Sequence, residues 1–169
     1  MSWRDRKIQG SVYRLGHLAP GLMTVPKADG NGFYRVRMTY GHHVFTRELE
    51  PQDTPDFHFP HEGEIRCFCL IRDSLSLQLP SIFQRAAKGG NAFFGETRNF
   101  LFVEHVPGLQ GPYAVFFDIK PAREKGADAV IFVVSAYRKP NLPSNLPKIR
   151  FGTLVRKAAS GERIRKPSR

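Results

Sequence analysis

The chain has 169 residues, 41% apolar and 24% charged, the profile of a soluble globular protein with one sizeable core. Lysine and arginine number 26 against 15 acidic residues, a formal charge of +11. The longest apolar run, Ala129 to Ala136, is broken by Ser135 and is far shorter than the ~20 residues of a membrane span. No apolar stretch follows the charged start Met1 to Lys7, so no secretory leader is expected, and two cysteines exclude a disulfide-dense scaffold. A small, basic, cytoplasmic protein is the expectation.

Residues 1–30 read as an irregular segment punctuated by Gly10, Gly16, Pro20, Gly21, Pro26 and Gly30, with room for a short strand near Ile8 to Tyr13. From Phe33 the pattern sharpens. Tyr34, Val36, Met38 and Tyr40 alternate with Phe33, Arg35, Arg37 and Thr39, the period of a half-buried strand. Gly41-His42 suits a two-residue hairpin turn, with a return strand from His43 to about Leu49. Pro51, Pro55 and Pro60 then exclude regular structure. Ile65, Cys67, Cys69 and Ile71 fall on one face of a further strand. Pro80 suits the first turn of a helix whose apolar stripe is Ile82, Phe83 and Ala86 and whose end is Gly89-Gly90.

Four strands are expected next, at Ala92 to Gly95, Arg98 to Val106, Tyr113 to Lys120 and Ala129 to Arg138. Their short connections favour antiparallel neighbours. A proline-rich stretch from Pro140 to Pro147 leads to a short basic helix, Thr153 to Ser160, stopped by Gly161. The predicted fold is α+β: an antiparallel β-meander with an N-terminal hairpin, one central helix and a short C-terminal helix. Residues 31–160 form the single domain, between the irregular segment 1–30 and a basic tail at 161–169.

Charge is unevenly spread. Residues 120–169 hold 13 basic and 3 acidic side chains, a balance of +10. Concentrated charge of this kind attracts polyanions, and nucleic acid gains most because each neutralised phosphate releases a counterion. RNA is preferred to DNA as the expected partner. The residues assigned to its backbone are Arg98, Lys120, Lys139, Lys148, Arg150, Arg156, Lys157, Arg163, Arg165 and Lys166. A solvated basic tail explains the same charge without a ligand, and an acidic protein partner or antitoxin is a further alternative. No membrane partner is expected.

Two sharper sites follow from the strands. If Pro107 to Pro112 is a simple loop, His105 stands opposite Tyr113; an even register in the next pair adds Ser135 and Tyr137 to that face, with Arg138 and Lys139 beyond. Such a set suits metal-independent RNA cleavage. His105 would act as base or acid, Tyr113 or Tyr137 as proton donor or stacking platform, and Arg138 as part of a cationic clamp. Tyrosines that merely cap the core fit the same positions. On the opposite face Phe100, Phe102, Phe116 and Phe132 would stack unpaired bases if open, or form core if covered.

His58, His61, Cys67 and Cys69 are the densest zinc-type set, but cysteines two apart on an apolar strand read as core, so no metal or cofactor is expected. His42-His43 offers a general base or a phosphate donor, and strand alternation would let at most one of them join a given site. No P-loop, nucleophile elbow, zinc-protease helix or dinucleotide fingerprint occurs.

A helix followed by an antiparallel meander, a basic C-terminus and His/Arg/Tyr candidates over residues 74–160 resembles the RelE/barnase-like small endoribonucleases and toxins. That resemblance implies a metal-independent endoribonuclease. Separately, Arg66-Cys67-Phe68-Cys69, Leu79-Pro80, Asn99-Phe100-Leu101 and Val134-Ser135-Ala136-Tyr137 resemble a group of bacterial proteins labelled stationary-phase growth adaptation proteins, a label that implies no chemistry. A non-catalytic nucleic-acid-binding or regulatory module is the rival expectation to the nuclease.

Overall fold

Two helices carry the same apolar spacing and define the core side of the molecule. In α2 (Leu79–Ala87) the buried residues are Leu79, Ile82, Phe83 and Ala86; in α3 (Phe151–Ala159) they are Phe151, Leu154, Val155 and Ala158. Positions i, i+3, i+4 and i+7 lie on one helical stripe, so each helix can bury that stripe only against another element. The computed structural model, which describes residues 1–97 and 99–168, supplies a seven-stranded sheet for them. Pro80 sits in the first turn of α2, as expected, and Gly89 follows its end at φ +128.

The chain enters through a hairpin of β1 (Arg6–Ile8) and β2 (Ser11–Tyr13), then runs through β3 (Gly21–Pro26) and the long β4 (Phe33–His43). A small sheet follows, β5 (Thr46–Arg47) with β6 (His58–His61) and β7 (Glu64–Phe68), in the order β5-β7-β6. Next come α1 (Leu70–Ser76), α2, β8 (Asn91–Phe94), β9 (Phe100–Glu104), β10 (Tyr113–Pro121), β11 (Ala129–Arg138), β12 (Lys148–Arg150) and α3. The large sheet has the order β12-β8-β9-β10-β11-β4-β3. The fold class is α+β, with the N-terminal antiparallel hairpin, a bent central helix formed by α1 and α2, and the short C-terminal helix.

Several expected elements differ from those observed. The sheet is mixed: β11 runs parallel to β4, with Ala129 opposite Val36 and Val133 opposite Tyr40. Gly41-His42 is not a hairpin turn. β4 continues to His43, where Gly41 and His42 together face the single residue Val134 of β11. Residues 1–30 are not irregular: they hold three strands, and Ile8, Leu15, Leu18 and Val25 are buried. The expected strand through Ile71 stops at Phe68, because Leu70 opens α1 and directs the chain away from the small sheet.

Phenylalanines form the centre of the core. Phe83 of α2 meets Phe102 and Phe117 edge-on at 5.0 and 5.3 Å, and Phe151 of α3 meets Phe102 at 5.4 Å. Edge-to-face pairs at these separations add roughly 0.5–1.5 kcal/mol each beyond the area they bury. Phe102 is therefore covered by the helices and Phe100 is buried against Phe94 and Phe117, so the pair is not an open platform. Phe116 lies on the other sheet face, and Phe132 is exposed.

Candidate functional site

Strand register decides which of the expected residues meet. β9 and β10 pair with Tyr113 opposite Glu104 and Val115 opposite Phe102, one residue away from the expected rung of His105 against Tyr113. The physical reason is burial: this register places Phe102 of β9 beside Val115 and Phe117 of β10 against the helices, and a one-residue slip would put Phe102 and Phe100 on the opposite face from Val115 and Phe117. Tyr113 goes with them. It is wholly buried, and its hydroxyl has no hydrogen-bond partner. Burial pushes its phenol well above the ordinary range, so proton release at neutral pH is disfavoured. His105 is exposed, just beyond β9.

Ser135 and Tyr137 do share a face, and Phe116 joins them. Along the β10–β11 ladder Phe116 pairs with Ser135 and Ala114 with Tyr137, which lets the Phe116 and Tyr137 rings stack at 5.6 Å and 24°. They floor a cavity of about 230 Å³ also lined by Leu101, Asn99 and Lys139. The proline-rich stretch forms its wall through Leu142, Pro143 and Leu146. That wall is anchored at both ends: the Phe94 amide donates to the Pro147 carbonyl (2.8 Å), and the Lys139 amide donates to that of Pro112 (2.9 Å). The Lys139 ammonium lies 5.7 Å over the Phe116 ring, a cation placed at the mouth of an aromatic floor.

A groove of about 470 Å³ shares Gly95, Glu96, Thr97 and Asn99 with this cavity and is lined on its other side by Arg163, Ile164, Arg165 and Lys166. Ile164 is half-buried against the core, so residues 161–166 are docked along the sheet and do not simply trail from it. Gly95 is required in the loop that both depressions share, because a Cβ there would collide with the Asn99 side chain. Glu96 is the single acid among the described residues lining either depression.

The other basic residues are more dispersed. Lys120 lies near the opposite end of β10 from Arg138, so the two do not flank a common face. The Arg138 guanidinium donates to the Gln110 carbonyl (2.8 Å). Lys148 and Arg150 are exposed on edge strand β12, and Lys157 is half-buried on α3. Arg156 is paired with Glu162 at 2.8 Å, while Glu124 and Asp128 are held by Arg37 and Arg35. Among the described residues Lys139, Arg163, Arg165 and Lys166 form no ion pair, and they border the cavity and groove. Arg98 falls outside the described residues.

One group of titratable side chains escaped the expectations. His42 and His43 both turn to Glu64, with Nε2 to Oε1 separations of 2.6 and 3.1 Å. Regular alternation would have sent them to opposite faces, but the bulge at Gly41-His42 resets it. Gly41 permits the bulge: a Cβ there would stand 2.9 Å from Phe132 Cζ and 3.1 Å from the Val134 carbonyl oxygen. The hydrogen bonds from His43 and His42 hold the Glu64 carboxyl down at about 2. Burial lowers the His42 imidazole, opposed by its bond to Glu64. By contrast, the zinc-type set His58/His61/Cys67/Cys69, read as core in the sequence, is not among the donor clusters of the described residues, and the buried Cys67 thiol is directed to the Phe68 carbonyl.

These features define an α+β protein in which α2 and α3 cover one sheet face and an aromatic cavity opens on the other. The chain belongs to the YjaZ family, whose family model matches residues 5–159. Comparison with curated proteins and with solved structures gives no match. No helix among the described residues is long and apolar enough to cross a membrane.

Proposed function

We propose that the protein binds single-stranded RNA, with the Phe116–Tyr137 cavity taking an unpaired base and the adjoining groove holding the phosphodiester chain. The observation that carries this reading is the loop that the two depressions share, Gly95, Glu96, Thr97 and Asn99: a stacked aromatic floor with Lys139 above it lies on one side of this loop, and a groove bordered by Arg163, Arg165 and Lys166 lies on the other. Aromatic rings accept any base, and cations beside them bind the backbone that connects one base to the next. The Asn99 amide, which lines both depressions, provides hydrogen-bonding groups of the kind that read a base edge. This reading is the binding module, not the nuclease, because His105 and Tyr113 stand apart from Ser135 and Tyr137.

The test is fluorescence anisotropy with a single-stranded RNA of roughly 12 nucleotides, long enough to span one such site. Binding should weaken about twenty- to fiftyfold between about 50 and about 200 mM salt if three or four phosphates are neutralised. Tyr137→Ala and the triple change Arg163→Ala, Arg165→Ala, Lys166→Ala should each reduce affinity, and the RNA should remain intact in excess chelator. Absence of binding at low salt, or equal binding by these variants, refutes the proposal. Cleavage in chelator that depends on His105 would reinstate the nuclease.

A further inference from the structure

The cluster on the bulge of β4 has no part in the RNA reading, and its geometry supports a separate function. Three potential donors, His42, His43 and Glu64, place their ligand atoms within 4.8 Å of one another. Two imidazole nitrogens converge on a single carboxylate oxygen, at 2.6 and 3.1 Å. Donors around tetrahedral zinc sit ~2.0–2.2 Å from the ion and hence roughly 3.3 Å from each other, so shifts of about 1 Å or less would admit one. We propose that His42, His43 and Glu64 bind one divalent transition-metal ion, zinc being the best match to two imidazoles and a carboxylate.

The surroundings fit a supported site. His42 is the inner ligand, with a side chain 14% exposed, while His43 and Glu64 are 35% and 45% exposed. The ion would thus have protein on one side and an open coordination position toward solvent on the other. Trp3 and His61 wall the inner side: their rings meet that of His42 edge-on at 5.9 and 4.6 Å, and the Trp3 indole is fixed by donating to the Tyr40 carbonyl at 2.8 Å. Behind His43, the Arg72 guanidinium donates to its main-chain carbonyl at 3.1 Å. Arg66 stands 3.8 Å from Oε2 of Glu64, engaging the outer oxygen and leaving Oε1 to the histidines. That guanidinium opposes a dication but orients the carboxylate, a role often filled by groups just outside a metal's ligands.

The competing arrangement is a carboxylate hydrogen-bonded by two imidazoles, with no ion. Untagged protein stripped with chelator separates the two when titrated with zinc by calorimetry, and with cobalt(II) by visible absorption. Zinc should bind one-to-one, and cobalt should give the ligand-field bands of a four- or five-coordinate site that zinc then abolishes. Glu64→Gln keeps a hydrogen-bond acceptor, so it should fold by circular dichroism yet lose about tenfold or more in zinc affinity. His43→Ala should lose at least as much, and His105→Ala, at a remote exposed histidine, should lose nothing. Failure of wild type to bind zinc, or binding that survives both His43→Ala and Glu64→Gln, overturns the proposal. No nucleic acid enters this experiment, so its result is independent of RNA binding.

Discussion

The Arg72 guanidinium lies 4.8 Å over the Tyr137 ring while its Nη1 donates to the main-chain carbonyls of Thr46 (2.6 Å) and His43 (3.1 Å). One side chain from α1 therefore braces the aromatic floor of the cavity and the strand that ends in the histidine pair. Arg72→Ala leaves two carbonyls without their donor and should cost about 2–3 kcal/mol of stability. Arg72→Lys should recover part of this, since an ammonium supplies donors but not a planar group over the ring. Urea unfolding of the three proteins checks both statements.

Tyr113 is a second test of how the sheet is built. Its hydroxyl is buried without a partner, so Tyr113→Phe removes a desolvated polar atom and leaves the ring in place. Stability should be unchanged or rise by about 1 kcal/mol, and RNA binding should not alter. A loss of more than about 1 kcal/mol would mean that the hydroxyl makes a hydrogen bond in solution.

Acid sensitivity should trace in part to His17. Its Nε2 lies 2.7 Å from Ser76 Oγ, and burial lowers its imidazole below the ordinary 6.5, against a smaller opposing effect of a main-chain hydrogen bond at Arg14. A lowered folded value means that the unfolded chain takes up the proton first. The stability held above about pH 6.5 is therefore lost progressively as pH falls from there through the folded value. Between about pH 7.5 and about pH 5.5 the wild type should lose more stability than His17→Asn, measured as the shift in urea midpoint at each pH.

Glu96 gives a prediction of opposite sign. It is exposed at the rim shared by the cavity and the groove, where its carboxylate would repel the phosphates of the proposed ligand. Glu96→Gln should tighten RNA binding by roughly two- to fivefold at low salt, the range expected for a single exposed charge, and the gain should shrink as salt rises. Anisotropy titrations of the two proteins at low and high salt read this directly. Unchanged or weaker binding would count against the groove as the path of the phosphates.

Periodic apolar residues were the legible part of this protein. Ile82, Phe83 and Ala86 on α2, the alternation through Val36, Met38 and Tyr40, and the presence and order of β8 to β11 all follow from side chains that must face a core. What the chain alone concealed were decisions made between distant strands. The slip of one residue between β9 and β10 put His105 outside and Tyr113 within, and no local signal records which rung closes a hairpin. The pairing of β4 with β11 is likewise non-local, and with it the bulge that turns His42 and His43 to one carboxylate. Gly41 was the available clue: its close approach to the Val134 carbonyl excludes a side chain, and the sequence shows the same glycine a tight turn would require. Docking of Arg163 and Arg165 depends on Ile164, a single apolar residue inside a basic run, too little to distinguish from a solvated tail.

The parallel pairing of β4 and β11 also sets a timetable. Val36 finds its partner Ala129 93 positions later in the chain. A ribosome adding about 5–20 residues per second takes roughly 5–20 seconds to cover that distance. Throughout this interval one long edge of β4 has no native strand to lie against, and the nascent N-terminal half is open to pairing with other chains. Slow translation or a shortage of holdase chaperones should therefore deplete this protein through aggregation of unfinished chains.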